Sequence, residues 1–185
     1  MNMLYSTAQQ GDRQATMQVR SYQPKDAPVL ADLFVRSVDQ IGRRDYSPLQ
    51  VEAWIAHAPS AKRLQTLSED GRTRLVAVDD TDQPLAFVDL ERNGHIDLFY
   101  CAPEVAGSGV AASLYDEAER VARQQGLNRL FTEASEAGRR FFQRKAFVVV
   151  SQRHFELSGV MMSNFAMRKT LSQDAAPGTV TAGPS

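Results

Sequence analysis

Hydrophobic and polar positions along the first third of the chain predict one strand followed by helices. Residues 17–22 alternate between polar and apolar, as is typical of a half-buried strand. Apolar side chains then recur at helical spacing over residues 29–41. The pair Ser47-Pro48 provides an N-cap and a first helical residue for a second helix. Leu64 and Leu67 indicate a third, short helix before Gly71.

The middle of the chain predicts three consecutive antiparallel strands. Apolar runs at residues 74–79, 85–91 and 95–101 are separated by turn sequences, and the second turn contains Asn93-Gly94, a strong hairpin signal. A glycine turn and a long amphipathic helix follow, and Gly126 ends that helix. The predicted order is then a strand, a helix and two final strands. A β-branched run covers residues 146–150, and residues 154–157 and 161–167 indicate a final hairpin with a break at Ser158-Gly159.

These elements predict a mixed α/β (α+β) fold in a single domain, with a central, mostly antiparallel sheet flanked by helices. The strands before and after the long helix are joined by a helical crossover, so they should run parallel. We expect the domain to cover residues 16–171. Residues 1–15 are interpreted as a flexible leader, and residues 172–185 as a disordered tail because they are rich in small and turn-forming residues.

Composition and charge narrow the function classes. The formal net charge of −1 argues against nucleic acid as a partner. No apolar run is long enough to cross a membrane and the N-terminus lacks a signal peptide, so we expect a cytoplasmic protein with no membrane partner. Cys101 is the only cysteine and the chain has three scattered histidines, so neither a disulfide nor a zinc site is expected.

The segment from His95 to Ala111 carries the clearest chemical signal. It predicts a buried strand that ends at Pro103, a turn with Gly107 and Gly109, and the start of a helix. Glycines permit close approach of a ligand to the backbone, and a helix N-terminus presents unpaired N–H groups. Such a combination binds anions, most often phosphate. A glycine pair alone is a weak signal, since a tight strand-to-helix turn has the same sequence.

The order of elements around this turn resembles the GNAT superfamily of acyl-CoA N-acyltransferases over residues 17–170. The family's cofactor motif maps onto residues 106–111, where Gly107, Gly109 and the small Ala111 match. Ala106 stands where the family has Gln or Arg. The segments at residues 46–48, 94–97 and 164–167, together with Trp54, are similar to the YafP-type bacterial branch.

The resemblance implies acetyl-CoA as the acyl donor, bound as a co-substrate and without a metal. The pyrophosphate would lie on backbone N–H groups of the glycine turn. The pantetheine arm would pair with the strand before it, where the two parallel strands splay apart. These implied cofactor-binding residues are Phe99, Tyr100, Cys101, Gly107, Ser108, Gly109, Val110 and Ala111.

His95 and Asp97 are the candidate catalytic residues. The attacking amine must lose a proton, and an imidazole is well suited to accept it near neutral pH. In a regular strand these two side chains lie on one face with Phe99 and Cys101, and Tyr100 lies on the other. The family places bases at the positions of His95 and Asp97. In the competing interpretation, His95 is simply exposed to solvent and the Asp97 carboxylate is hydrogen-bonded by a neighbouring strand.

The proton donor to the leaving thiolate is a second open question. The family uses a tyrosine on the last helix, and this chain has Phe142 at that position. Tyr46 and Tyr100 are the alternative donors. Cys101 is better interpreted as a small hydrophobic residue than as a nucleophile.

The acceptor pocket is the least predictable part of the chain. Candidate substrate-binding residues are Tyr46, Trp54, Glu91 and Asn164. Asp89 and Glu91 are interpreted first as a solvent-facing acidic row, and second as a wall that attracts a cationic amine. The competing interpretation of Trp54 is a core residue without a ligand contact.

The sequence therefore predicts an N-acetyltransferase in which a small amine attacks acetyl-CoA directly in a ternary complex. Three alternatives remain open at this stage. They are a non-catalytic acyl-CoA-binding module, a protein or peptide amine acetyltransferase, and a transferase acting on aminoacyl-tRNA, which the balanced charge disfavours. Family analogy also allows a homodimer through the final strands.

Overall fold

A computed structural model gives the structure of residues 17–171. The predicted leader (1–15) and the predicted tail (172–185) lie outside these described residues. The helices are α1 (Ala27–Gln40), α2 (Pro48–Ile55), α3 (Ala61–Ser68), α4 (Val110–Gln124) and α5 (Glu136–Arg144). The strands are β1 (Gln18–Ser21), β2 (Thr73–Val78), β3 (Pro84–Leu90), β4 (Ile96–Cys101), β5 (Arg129–Ala134), β6 (Val148–Leu157) and β7 (Val160–Thr170). Within residues 17–171, no helix is long and apolar enough to cross a membrane.

Strands β1 to β4 form one antiparallel sheet in sequence order. Side chains alternate between two cores on its faces, as a pleated sheet requires. Leu75, Ala77 and Val88 pack on the face covered by α4 and α5. Val76 and Phe87 pack on the opposite face against α1 and α3. Both faces of the sheet are therefore buried, which explains the nearly continuous apolar runs of β2 and β3.

Strands β5, β7 and β6 form a second antiparallel sheet in that order. It meets the first at a single parallel bridge between His95 and Phe131, where the Phe131 amide donates to the Gly94 carbonyl at 3.1 Å. One residue further on, the hydroxyl of Thr132 donates to the Ile96 carbonyl at 2.8 Å. Beyond this point β4 and β5 separate. The prediction of a splayed parallel strand pair is confirmed.

Local sequence signals fix the helix starts beside this opening. Ser47 and Gln50 form a reciprocal capping box, and Pro48 is the first residue of α2. The Ser135 hydroxyl accepts a hydrogen bond from the Gly138 amide and caps α5. The cap fixes the point where the chain leaves β5 and turns towards the separated strands.

The final hairpin is longer than the sequence pattern predicted. Its turn, Ser158-Gly159, lies at the predicted break, and both residues have positive φ angles of 49° and 79°. Strand β6 pairs with β7 on one side, and its Val148 and Val150 are each 57% exposed. A homodimer through the final strands stays a prediction, and this exposed strand is the surface it would bury.

Candidate active site

A cavity of about 260 Å³ occupies the opening between β4 and α5. The backbone and side chains of Phe99, Tyr100 and Cys101 line one side, and Phe141 of α5 lines the other. Gly107 and Ala111 lie at its end. We call this the cleft. It brings together the predicted strand residues and the glycine turn, as the resemblance implied.

The glycine turn leaves a set of backbone donors unused. Gly107 and Gly109 have φ angles of 85° and 97°, which side-chain-bearing residues rarely adopt, and a Cβ built on either would meet no atom within 4 Å. Within the described chain, the N–H groups of Gly107, Gly109, Val110 and Ala111 have no backbone acceptor. Open space above four unpaired N–H groups at the start of a 15-residue helix suits a phosphate-bearing ligand.

Ser108 differs from its neighbours in the turn. Its N–H and its hydroxyl both donate to the Val105 carbonyl, at 3.1 and 2.8 Å. It therefore stabilises the turn and offers no free donor to a ligand. The prediction that Ser108 binds the cofactor has no support in this geometry.

Three arginines line the cleft near the glycine turn: Arg44, Arg140 and Arg144. Arg140 is held by Asp45 at 2.6 Å. The guanidinium groups of Arg44 and Arg144 make no ion pair or hydrogen bond with any described residue. Their charge can compensate for Ala106, which offers no polar side chain. No sequence pattern marks their position, because Arg44 lies in a short polar turn and Arg144 at the end of α5, and only the packing of distant segments brings them together.

A second cavity of about 650 Å³ lies on the α1 side of β4. We call it the acceptor cavity. Helices α1 to α3 provide one wall and the β6–β7 hairpin another. Its aromatic lining consists of Phe34, Tyr46, Trp54, Tyr100 and Phe155, and its acidic lining consists of Asp97 and Glu133. Two of the predicted substrate-binding residues, Tyr46 and Trp54, thus face it, and so does a third, Asn164.

A bulge in β4 decides which side chains reach the acceptor cavity. Leu90 pairs with Ile96 and Val88 pairs with Phe99, so Asp97 and Leu98 both lie opposite Asp89. Phe99 and Cys101 consequently pack on the α4 side. Asp97, Leu98 and Tyr100 instead line the acceptor cavity on the other side. The prediction that Asp97 shares a face with Phe99 and Cys101 and opposes Tyr100 is wrong, because an extra residue shifts the alternation.

Asp97 belongs to a buried charge network below the cavity. The Arg72 guanidinium, only 4% exposed, contacts Asp97 at 2.7 Å, Asp89 at 2.9 Å and Glu91 at 3.2 Å. Asp89 is fully buried and also pairs with Arg74 at 2.5 Å. The interpretation of Asp89 and Glu91 as a solvent-facing row is therefore wrong for Asp89. Since Glu91 is absent from the acceptor-cavity lining, its predicted substrate contact has no support.

His95 lies behind the acceptor cavity and lines neither it nor the cleft. Its ring stacks on Phe131 with centroids 4.9 Å apart. Nε2 is 2.8 Å from Glu133 and Nδ1 is 3.3 Å from Glu91. Glu133 faces the cavity, so His95 can exchange a proton with the cavity through this carboxylate. Glu133 was not among the predicted site residues, because β5 also contains Arg129 and Thr132 and its local sequence does not distinguish Glu133 from a solvent-facing residue.

Glu91, His95 and Asp97 also place their ligand atoms within 4.8 Å of one another. Such a group can resemble a metal site. Here Arg72 contacts both carboxylates and already supplies the positive charge between them. We therefore assign no metal to it.

The two cavities meet at four residues that line both: Tyr46, Trp54, Tyr100 and Ser135. The Tyr46 hydroxyl accepts from the Glu136 amide at 3.2 Å and donates to the Ser163 carbonyl at 3.0 Å. Burial raises the pKa of Tyr46, so its phenol keeps its proton at neutral pH. Burial also raises the pKa of Tyr100. The junction thus has phenol groups able to donate a proton.

Phe142 and Cys101 occupy hydrophobic surroundings. Phe142 is 2% exposed and packs on Phe99 and Phe147, with ring centroids 5.5 and 4.9 Å apart. Phe142 is therefore a core residue, and no residue of α5 carries a hydroxyl that could act in its place. Burial raises the pKa of the Cys101 thiol, which disfavours the thiolate a nucleophile would need.

The matching family and three similar proteins are all described as acetyltransferases. Residues 43–171 match the family described as the acetyltransferase (GNAT) domain. The N-acetyltransferase YafP of Escherichia coli (strain K12) is 29% identical over 152 residues, which cover 82% of this chain and 95% of YafP. A GCN5-related N-acetyltransferase from Rhodopseudomonas palustris superposes with a TM-score of 0.77 at 31% identity, covering 85% of this chain and 97% of that structure. The PaiA N-acetyltransferase from Thermoplasma acidophilum, solved with coenzyme A, has a TM-score of 0.67 at 19% identity, covering 84% and 99%.

Proposed function

Because this chain belongs to the GNAT acetyltransferase family, we propose that it transfers an acetyl group from acetyl-CoA to the amine of a small molecule. The observation that carries the proposal is the meeting of the two cavities at Tyr46, Trp54, Tyr100 and Ser135. A donor thioester in the cleft and an acceptor amine in the other cavity would reach each other only at this junction. Reacting groups held in such proximity need no covalent enzyme intermediate.

The cleft suits coenzyme A in three respects. The unpaired N–H groups of Gly107, Gly109, Val110 and Ala111 provide donors for phosphates, and Arg44 and Arg144 provide positive charge. Beyond the His95–Phe131 bridge, no strand within residues 17–171 pairs with the edge of β4 that faces β5, so an extended amide-containing arm can pair with it. Ala106 provides no polar side chain for the phosphates, but the backbone N–H donors of the glycine turn remain.

The acceptor cavity suits an amine of modest size. Its volume of about 650 Å³ lies within the range of small-molecule sites, about 300–1,000 Å³. Asp97 and Glu133 attract a cationic amine. The side-chain oxygen of Asn164 is buried and has no hydrogen-bond partner among the described residues, and an amine N–H would satisfy it.

The proposed proton transfers involve Glu133, His95 and Tyr46. The bound ammonium gives one proton to Glu133, which passes it to His95, 2.8 Å away, and so frees the nitrogen lone pair. The nitrogen bonds to the acetyl carbonyl carbon and then gives its second proton to Glu133. The carbon–sulfur bond breaks, and the sulfur keeps the electron pair and takes a proton from Tyr46. The Glu136 amide already donates to the Tyr46 oxygen and would stabilise the phenolate that forms. Asp97, held by Arg72, orients the amine.

Two measurements test the proposal. Acetyl-CoA at about 100 times its Kd should stabilise the fold by about 2.7 kcal/mol, which a thermal-shift titration detects. A panel of amines should then release free thiol from acetyl-CoA, followed with a thiol reagent. Binding with an inert thioester across the panel would leave only an acyl-CoA-binding module, and absence of binding would remove the donor assignment as well.

A further inference from the structure

We propose that the acceptor is an amine whose aromatic body carries a carboxylate, and that Arg63 binds this carboxylate. The inference rests on the proposed function and names the substrate class for the same site. The observation behind it is a cation without a partner at the rim of the acceptor cavity.

Arg63 lies in the first turn of α3 and lines the acceptor cavity. Its guanidinium makes no ion pair, hydrogen bond or ring contact with any described residue, although its backbone amide donates to Ser60 at 3.2 Å. Most arginines near the cavity are committed: Arg72 and Arg74 pair with Asp89, and Arg153 pairs with Glu133. Arg63 is therefore free to bind an anion from solution, and a planar guanidinium binds carboxylate through two parallel hydrogen bonds.

The acidic side chains that line the cavity belong to other elements than Arg63. Asp97 comes from β4 and Glu133 from β5, whereas Arg63 comes from α3, which packs mainly on α1. In the network that Asp97 and Glu133 belong to, the described carboxylates outnumber the guanidinium groups five to three, counting Asp70, Asp89, Glu91, Asp97 and Glu133 against Arg72, Arg74 and Arg153. The β4–β5 wall therefore favours the cationic end of a ligand, and α3 favours an anionic end.

The surface between these two ends is aromatic. Phe34, Trp54 and Phe155 line the cavity from three different elements, and Tyr46 meets Trp54 edge to face with centroids 5.4 Å apart. Aromatic walls bind a planar apolar body by offset or edge-to-face contact. A flat ring with an amine at one end and a carboxylate at the other matches the order of the lining.

His57 is the other group on this wall that could meet the anion. Its Nδ1 is 2.8 Å from the Ala53 carbonyl, which can only accept, so Nδ1 carries a proton. Its Nε2 is 3.4 Å from the Ser158 hydroxyl. His57 is thus oriented by the protein, and Arg63 is the cation that remains available.

The test compares two probes with the same ring and the same aminomethyl group. 4-(Aminomethyl)benzoate carries the carboxylate, and 4-(aminomethyl)benzamide replaces it with a neutral amide. Thiol release by the full chain should give a kcat/KM at least about 10-fold higher for the benzoate. Arg63→Gln should remove this preference by raising KM for the benzoate alone with little change in kcat, since a contact remote from the reacting atoms binds ground and transition states equally.

Lys62→Gln is the matched control, because it removes a positive charge from the same helix at an exposed position outside the cavity lining. It should leave both probes unchanged. Equal kcat/KM values for the two probes, a parallel loss for both in Arg63→Gln, or turnover of other amines but not of the benzoate would each overturn the inference and leave the proposed function standing. If no amine releases thiol, the proposed function itself fails.

Discussion

The hydroxyl of Tyr46 donates a hydrogen bond of 3.0 Å to the carbonyl oxygen of Ser163, 117 residues away in the sequence. This contact joins the segment before α2 to β7 at the point where the cleft and the acceptor cavity meet. The Glu136 amide at the start of α5 completes the arrangement at 3.2 Å. A phenol held by three elements is well placed to supply the proton that Phe142 cannot.

Tyr46→Phe should therefore lower kcat about 10²-fold, the usual contribution of a general acid, while leaving the affinity for acetyl-CoA within about twofold. Loss of the hydrogen bonds to the Ser163 carbonyl and the Glu136 amide should also cost about 1–2 kcal/mol of stability. Steady-state thiol release and isothermal titration with acetyl-CoA measure the two effects. Tyr22→Phe removes a hydroxyl that lines neither cavity and should retain full activity. An unchanged kcat in Tyr46→Phe would remove the assignment of the proton donor.

The glycine turn offers a test of donor binding with an internal control. Gly107→Ala places a Cβ in open space at a φ of 85°, and Gly126→Ala does the same at 75° beyond the end of α4. Both should lose about 1 kcal/mol of stability through backbone strain. Only Gly107→Ala should weaken acetyl-CoA binding, by about 10-fold or more, because Gly107 lines the cleft and Gly126 does not. Calorimetric Kd values check this, and equal affinities for the two variants would contradict the phosphate site.

His95 and Glu133 should act as one unit. His95→Gln and Glu133→Gln should each lower kcat/KM about 10²-fold, and the double variant should lose little more, because removing either member interrupts the same proton path. Glu91→Gln is the control, since Glu91 also contacts His95, at 3.3 Å, but lies outside the cavity. A double-mutant cycle on thiol release measures the coupling. Fully additive losses would show that His95 and Glu133 act separately.

The pH dependence of stability should depend on Glu119. Burial raises its pKa, but hydrogen bonds from Lys169, Tyr115 and Arg123 outweigh burial and lower the pKa to about 2. A carboxyl with a lowered pKa in the folded state contributes stability above its ordinary value of 4.5, and this contribution is lost as the pH falls towards 2. Glu119→Gln should thus cost about 2 kcal/mol at pH 7, and the difference from the wild type should shrink below pH 4.

Urea unfolding at pH 7 and pH 3 measures this difference. Glu117→Gln on the same helix removes an exposed ion pair with Arg120, 2.5 Å long, and should change stability by less than about 1 kcal/mol at either pH. A Glu119 effect of equal size at both pH values would show that the residue stabilises by packing alone.

Much of the fold follows from local sequence. The strand alternation, the Ser47-Pro48 helix start, the Asn93-Gly94 hairpin and the break at Ser158-Gly159 all lie where the residues predicted them. Each depends on neighbouring residues only, through side-chain periodicity, capping and positive φ angles. The final strands were predicted too short because their outer residues, such as Val148, are exposed and give no period.

The sequence by itself determined the order of elements and the free N–H groups at the start of α4, since these follow from interactions a few residues apart. The parallel strand pair around the glycine turn followed from that order, because a helical crossover joins the two strands. The tertiary structure alone decided which side chains reach the acceptor cavity. One extra residue in β4 turned Asp97 away from Phe99, and long-range packing brought Tyr46 to Ser163, Glu133 to His95 and Arg63 to the cavity rim. A one-residue shift reverses the faces of a strand, and contacts between distant segments leave no periodic signal, so these placements depend on the assembled core.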